Sequence, residues 1–192
     1  MENIYIEKKS FEKVDFQENI LEKGEYEKCE FKNCNFYKSD ISDIVFVDCT
    51  FVNCNLSIVK CSGATLNNIK FNNCKIMGFR FDSCNDFGFS VNFENCQLDH
   101  SSFFRKKLRN TNFTNSQLSE VDFTGSDLTS SKLDNCDLTR SIFDNTIIEK
   151  ADFRTSYNFS IDPANNRIRK AKFSLTGITG LLEKYEIVIE GK

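Results

Sequence analysis

Nine cysteines and one histidine are the residues of this 192-residue chain best suited to chemistry. Cys29 and Cys34, then Cys49 and Cys54, form pairs with four residues between partners. A zinc site usually has shorter cysteine spacing and further ligands, so these pairs do not make a metal centre. His100 is the only histidine, and no regularly placed acid, serine or lysine singles it out as a general base. Eight glycines build no phosphate-cradling loop. No catalytic, metal or cofactor-binding residue is expected, and no enzyme. Nine is an odd number for a disulfide framework. The opening Met-Glu-Asn-Ile-Tyr-Ile-Glu-Lys-Lys has no apolar run of signal-peptide length. Nor does any stretch reach the roughly 20 apolar residues of a membrane span. The expectation is a cytoplasmic protein with free thiols and no membrane contact.

The cysteines belong to a wider pattern. Every fifth residue from Ile6 through Phe11, Phe16, Leu21 and Tyr26 to Phe81 is apolar or nearly so. The series resumes two residues out of phase at Phe93 and runs by fives to Phe153. Fourteen of the 20 Phe fall on it. Two residues before each large position stands a small one: Cys29, Cys34, Cys49, Cys54, Cys74, Cys96, then Ser101, Thr111, Ser116, Ser126, Ser131 and Cys136. Neither a helical nor a strand period produces this spacing. It describes a solenoid in which each five-residue unit points one large and one small side chain inward. A free cysteine serves as a small apolar filler. Four side chains break the small slot: Lys9, Asn19, Phe79 and Lys106. At Lys106 the coil is expected to bulge and release the lysine to water.

Asparagine sets the number of units per turn. It follows the large residue at Asn33, Asn53, Asn73, Asn95, Asn115 and Asn135, a step of 20 with one step of 22. Four pentapeptides therefore make one coil, and a two-residue bulge lies within 82–92. Stacked Asn side chains can bond along such a ladder, and Asn tolerates a left-handed corner. The solenoid is expected over 1–155, with seven to eight coils and a length of roughly 36 Å at about 4.8 Å per layer. Residues 156–192 then form a cap. Ile178, Leu181, Leu182 and Tyr185 lie at helical spacing, and Ile187-Val188-Ile189 reads as a short strand. The leftover apolar face, Ile178, Leu181, Leu182, Tyr185, Ile187 and Ile189, is the candidate contact of a symmetric homodimer.

The motif small–polar–large–polar–polar, as in Cys29-Glu-Phe31-Lys-Asn and Ser126-Asp-Leu128-Thr-Ser, resembles that of the pentapeptide-repeat family. The resemblance implies an all-β solenoid, a right-handed quadrilateral β-helix with a small helix and strand cap. The ending, Ile161-Asp162-Pro163, Asn166-Arg167-Ile168 and Gly180 to Gly191, resembles the Qnr quinolone-resistance branch and, still more, the immunity branch against a gyrase-targeting microcin. That branch implies a C-terminal dimer whose rod mimics duplex DNA, binds DNA gyrase or topoisomerase IV and protects it from quinolones or a peptide toxin. It implies no small-molecule substrate.

The charges bear on that function. The net charge of -3 argues against nucleic acid as a direct partner. Residues 110–155 carry eight acids against four bases. From them Glu120, Asp122, Asp127, Asp137, Asp144, Glu149 and Asp152 are the candidate topoisomerase-facing carboxylates, spread over all four faces. The run Arg105 to Arg109 opposes mimicry locally. The alternative is a pentapeptide-repeat interaction scaffold with a different protein partner.

Overall fold

The structure, a computed structural model, describes residues 4–190. It is a parallel β-solenoid of about seven turns with one short helix near its C-terminal end. Eleven short strands are regular enough to name. Strands β1 (Ile4–Glu7), β3 (Gly24–Glu27), β5 (Val45–Val47) and β7 (Thr65–Asn67) stack as one sheet. Strands β2 (Ser10–Glu12), β4 (Glu30–Lys32), β6 (Thr50–Val52), β8 (Ile69–Asn72), β9 (Val91–Glu94), β10 (Asn112–Thr114) and β11 (Lys132–Asp134) stack as a second. All pairings are parallel. Tyr26 pairs with Phe46, and Phe31 pairs with Phe51, each 20 residues on. Single-residue bridges extend the same stacking to the other sides of the rod.

Four faces follow from this register. The first holds β2, β4, β6 and β8 to β11. The second is the ladder Asp15, Asn35, Asn55, Lys75, Gln97, Gln117, Asp137 and Tyr157. The third carries Arg80, Ser102, Asp122 and Ile142, and the fourth passes from β1, β3, β5 and β7 to Lys107, Asp127, Ile147 and Arg167. Between faces the chain turns a corner through a left-handed residue, one per five. All six ladder asparagines have positive φ, from 49° at Asn115 to 56° at Asn33. Asn53 Nδ2 donates to Asn33 Oδ1 at 3.2 Å and Asn135 Nδ2 to Asn115 Oδ1 at 2.9 Å. Ile58 also sits at a corner, with φ 56°. A β-branched side chain is strained there.

The large inward residues stack along the axis. Rings of Phe11, Phe31, Phe51, Phe71, Phe93 and Phe113 lie 4.7–5.3 Å apart, near-parallel. Phe81, Phe103, Phe123 and Phe143 form a second column. All nine cysteines are free and buried, where most fill the small slots. Burial pushes the Cys49 and Cys136 thiols up to about 12, so neither is a nucleophile at neutral pH. Further down the rod the same slots hold hydroxyls. Ser156 Oγ donates to the Leu133 carbonyl at 2.7 Å, Thr146 Oγ1 to that of Phe123 at 2.9 Å, and Ser131 and Ser141 do likewise. Phe79 is fully buried in its small slot, with its ring 4.3 Å from that of Phe81.

Three places differ from the sequence reading. Lys106 does not reach water; its side chain is only 2% exposed. Its own coil is regular, with Lys106 N–H bonded to the Phe103 carbonyl at 2.9 Å. The distortion lies one coil above. There Phe71 pairs with Phe93 rather than with a residue 20 on. Second, the stacking runs past residue 155. Bridges Ile147–Arg167 and Asp152–Lys172 keep the step of 20, with Ile168 and Phe173 packed on the core. Third, a helical segment spans Thr176–Tyr185, but residues 187–190 form no strand. No backbone hydrogen bond joins residues 187–190 to the rest of the described chain.

Candidate protein-binding surface

The solenoid sorts the carboxylates by face, and each face treats them differently. On the first face Asp134 is paired with Lys132 at 2.7 Å and Asp152 with Arg154 at 2.7 Å. On the fourth, Asp127 is paired with Arg109 at 2.6 Å and Glu149 with Arg167 at 2.7 Å. The first-face pairs arise because the two outward residues of one five-residue unit flank one inward residue and share a face. The fourth-face pairs join residues 18 apart on neighbouring coils. Burial pushes the Asp127 carboxyl up. Thr129 and Arg109, which bond to it, outweigh that and hold it below the usual range. The Arg154 guanidinium holds Asp152 below its ordinary value.

From residue 99 onward the second and third faces carry acids outside any ion pair, whereas earlier on the third face Asp82 is paired with Arg80 at 2.7 Å. Asp99 and Asp137 lie on the second, Asp122 and Asp144 on the third, and none has an ion-pair partner among the described residues. Each has a structural hydrogen bond instead. Asp99 Oδ1 accepts from Ser119 N–H at 3.1 Å, Asp122 Oδ1 from Thr124 N–H at 2.9 Å, and Asp144 Oδ2 from Asn145 Nδ2 at 3.1 Å. Asp137 accepts from Thr139 N–H at 3.1 Å and from Asn158 Nδ2 at 2.9 Å. Glu120 stands on the corner between the two faces, against Arg140 and with His100 Nδ1 at 3.1 Å. Of the seven candidate acids, then, Asp122, Asp137 and Asp144 share one edge of the rod without an ion-pair partner; the bases on its corner, His100 and Arg140, go to Glu120. Glu120 joins them geometrically but is paired. Asp127, Glu149 and Asp152 are elsewhere and neutralised. Asp99 was not among the candidates and completes the group. Sorting charges by their position within the 20-residue coil would have found it.

Two apolar residues share the third face with these acids, Phe104 and Ile142, both exposed. A larger apolar surface sits at the C-terminal end. Ile178, Tyr185, Ile187 and Ile189 are exposed and Val188 is 86% exposed. Leu182 is half-buried, and Leu181 packs on the core. A groove of about 1190 Å³ runs between this segment and the last coils, lined in part by Tyr157, Phe159, Leu182, Ile187 and Ile189. Gly180 is required there: a Cβ would lie 2.1 Å from the Phe159 carbonyl oxygen. No group of three or more His, Cys, Asp or Glu among the described residues is placed to hold a metal. No helix among them is long and apolar enough to cross a membrane.

Comparison with known proteins agrees with the repeat. Residues 88–156 match the family described as pentapeptide repeat region. Among solved structures, a trypsin-treated variant of QnrB1, a plasmid-mediated fluoroquinolone resistance protein, is similar over 98% of this chain and 100% of its own, with a TM-score of 0.63 and 15% identity. Full-length QnrB1 is similar over 96% of this chain and 100% of its own, with a TM-score of 0.55 and 16% identity. HetL, a pentapeptide repeat protein of the cyanobacterium Nostoc, reaches a TM-score of 0.42 at 10% identity over 87% of this chain and 89% of its own. No curated protein matches in sequence. By repeat over residues 88–156 and by fold over nearly its whole length, the chain is similar to pentapeptide-repeat proteins.

Proposed function

We propose that this protein binds a type II topoisomerase, DNA gyrase or topoisomerase IV, as a DNA mimic and protects it from quinolones or a peptide toxin. The observation that carries the reading is the edge formed by Asp99, Asp122, Asp137 and Asp144, whose carboxylates are held by hydrogen bonds and not by ion pairs. A basic DNA-binding surface attracts a rod that presents one sign of charge along its length. The mimicry is partial. Four free carboxylates over just over two coils make roughly one charge per 3 Å, against about one per 1.7 Å of duplex. The apolar C-terminal segment and its groove support a homodimer, which would place two such edges on one longer rod. The fold shared with QnrB1 supports the same reading. The rod itself acts by binding, without catalysis.

The direct test is gyrase supercoiling in ciprofloxacin or a gyrase-targeting microcin, with and without the protein. Restored supercoiling is the expected result. No rescue, together with no binding at low salt, sinks the proposal. A second reading, an interaction scaffold for a different protein, is favoured by Phe104 and Ile142. Both expose apolar surface on the face that carries Asp122 and Asp144. Binding that survives high salt would support it.

A further inference from the structure

Lys106 occupies a slot meant for a small residue. The equivalent positions in the coils above and below it are Ala64, Cys84, Ser126 and Thr146. An ammonium in such a place costs several kcal/mol unless its bonds are met. Here they are met from one direction only. Lys106 Nζ donates to the Cys84 carbonyl at 2.5 Å and to Asp86 Oδ1 at 2.7 Å, and it lies 5.1 Å from the centre of the Phe89 ring. All three partners belong to the segment that contains the two extra residues. In that segment Asn85 and Ser90 bond to Ala64 and Leu66. Four residues, 86–89, thus stand where Thr65 alone stands opposite, and the chain there bows outward. Gly88 turns it at φ 69°. Phe87, at the tip, is 92% exposed.

We infer that Lys106 is a positioning residue: an internal staple whose ammonium holds the 85–90 insertion in one shape, with the Phe87 ring held out from the rod. Lysine and insertion depend on each other. A regular coil offers the small slot a carbonyl, as Leu133 does for Ser156, but no carboxylate for an ammonium. Without the ammonium, residues 86–88 keep no hydrogen bond to the coils on either side. Asp86 is a surface carboxylate, 81% exposed, whose place is set from beneath by a buried cation. This inference goes beyond the proposed function and does not rest on it.

The chain has no tryptophan, so Phe87→Trp supplies a single reporter at the tip. In that background Lys106→Ser, which installs the residue common in these slots, should lower the Trp anisotropy. It should also speed amide hydrogen exchange at 86–89 by tenfold or more, with exchange in β9 and β10 unchanged. A folded Lys106→Ser variant with neither change overturns the staple. If that variant does not fold, Asp86→Ala decides. It removes only the exposed carboxylate and should speed exchange at 86–89 several-fold, and an unchanged rate overturns the inference. Deleting Asp86 and Phe87 tests the dependence in reverse. The deletion should be tolerated with Lys106→Ser and should unfold the chain with Lys106 in place. Equal tolerance in both backgrounds counts against it.

Discussion

The first and fourth faces of the rod and its second and third faces are built from the same five-residue unit, yet between residues 99 and 154 they hold their acids in opposite states. On the first and fourth, Asp134, Asp152, Asp127 and Glu149 are each closed by a base within 2.7 Å. On the second and third, Asp99, Asp122, Asp137 and Asp144 accept hydrogen bonds from backbone or amide groups and keep their charge facing out. A solenoid fixes backbone and core by repetition and leaves each face free to differ. The paired faces serve stability to the extent that any do, and the unpaired edge is the part available to a charged partner.

Four measurements sharpen or break that contrast. The largest effect is expected at the most buried paired acid. Asp127→Ala removes the partner of Arg109 and of Thr129, and should cost about 2 kcal/mol in urea unfolding, since bonds to a charged group are each worth about 1.5–3 kcal/mol. Asp122→Ala, which loses one backbone bond, should cost about 1 kcal/mol. Equal losses would erase the stability difference between faces. Next comes the functional side. The combined change Asp122→Asn, Asp137→Asn and Asp144→Asn keeps acceptors and removes charge. It should raise the concentration needed to protect gyrase by about tenfold, or about 1.4 kcal/mol. Asp134→Asn with Asp152→Asn should leave it within twofold, and an equal effect of both sets removes the edge as the binding surface.

Smaller effects follow from acid and from backbone strain. Asp127 and Asp152 titrate below the usual range when folded. Their stabilisation is therefore complete above the unfolded value of about 3.9 and is lost as pH falls through the depressed folded value. Urea midpoints should drop between pH 5 and pH 2.5. Arg154→Met should flatten only a small part of that drop, because solvent screens the exposed pair. Last, Ile58→Asn relieves a left-handed β-branched corner and should raise stability by roughly 1 kcal/mol. A fall in the melting temperature would show that Ile58 has a packing role its exposure hides.

Much of this was readable from the sequence. Residues that repeat every five and every 20 report the backbone directly, so the Phe columns and the Asn corner emerge from spacing alone. What spacing hides is anything set by two coils at once. The pairing of Asp127 with Arg109 joins residues 18 apart on neighbouring coils, and a count of charge by segment cannot separate it from the free Asp122. Lys106 reads as a defect because its partners lie in the coil above. The end of the stack is masked by Asn158 and Pro163, which stand where large residues belong. Ile168 and Phe173, 15 and 20 residues after Phe153, keep the frame. Ile187 to Ile189 have strand-like composition, but composition cannot supply a neighbouring edge.

The Lys106 staple also bears on how a self-similar chain finds its alignment. Coils that repeat every 20 residues can stack one coil out of step and still bury Phe on Phe, so register is weakly specified by the core. Among the described residues only one coil carries two extra residues, and only the coil below it carries a buried ammonium that needs them. Any shifted stacking separates the two and strands a charge inside the rod. The pair works as an index mark, one lock in an otherwise translatable column. Lys106→Ser together with removal of Asp86 and Phe87 would give a smoother column, and its refolding should show more slow, misaligned species than the natural chain does.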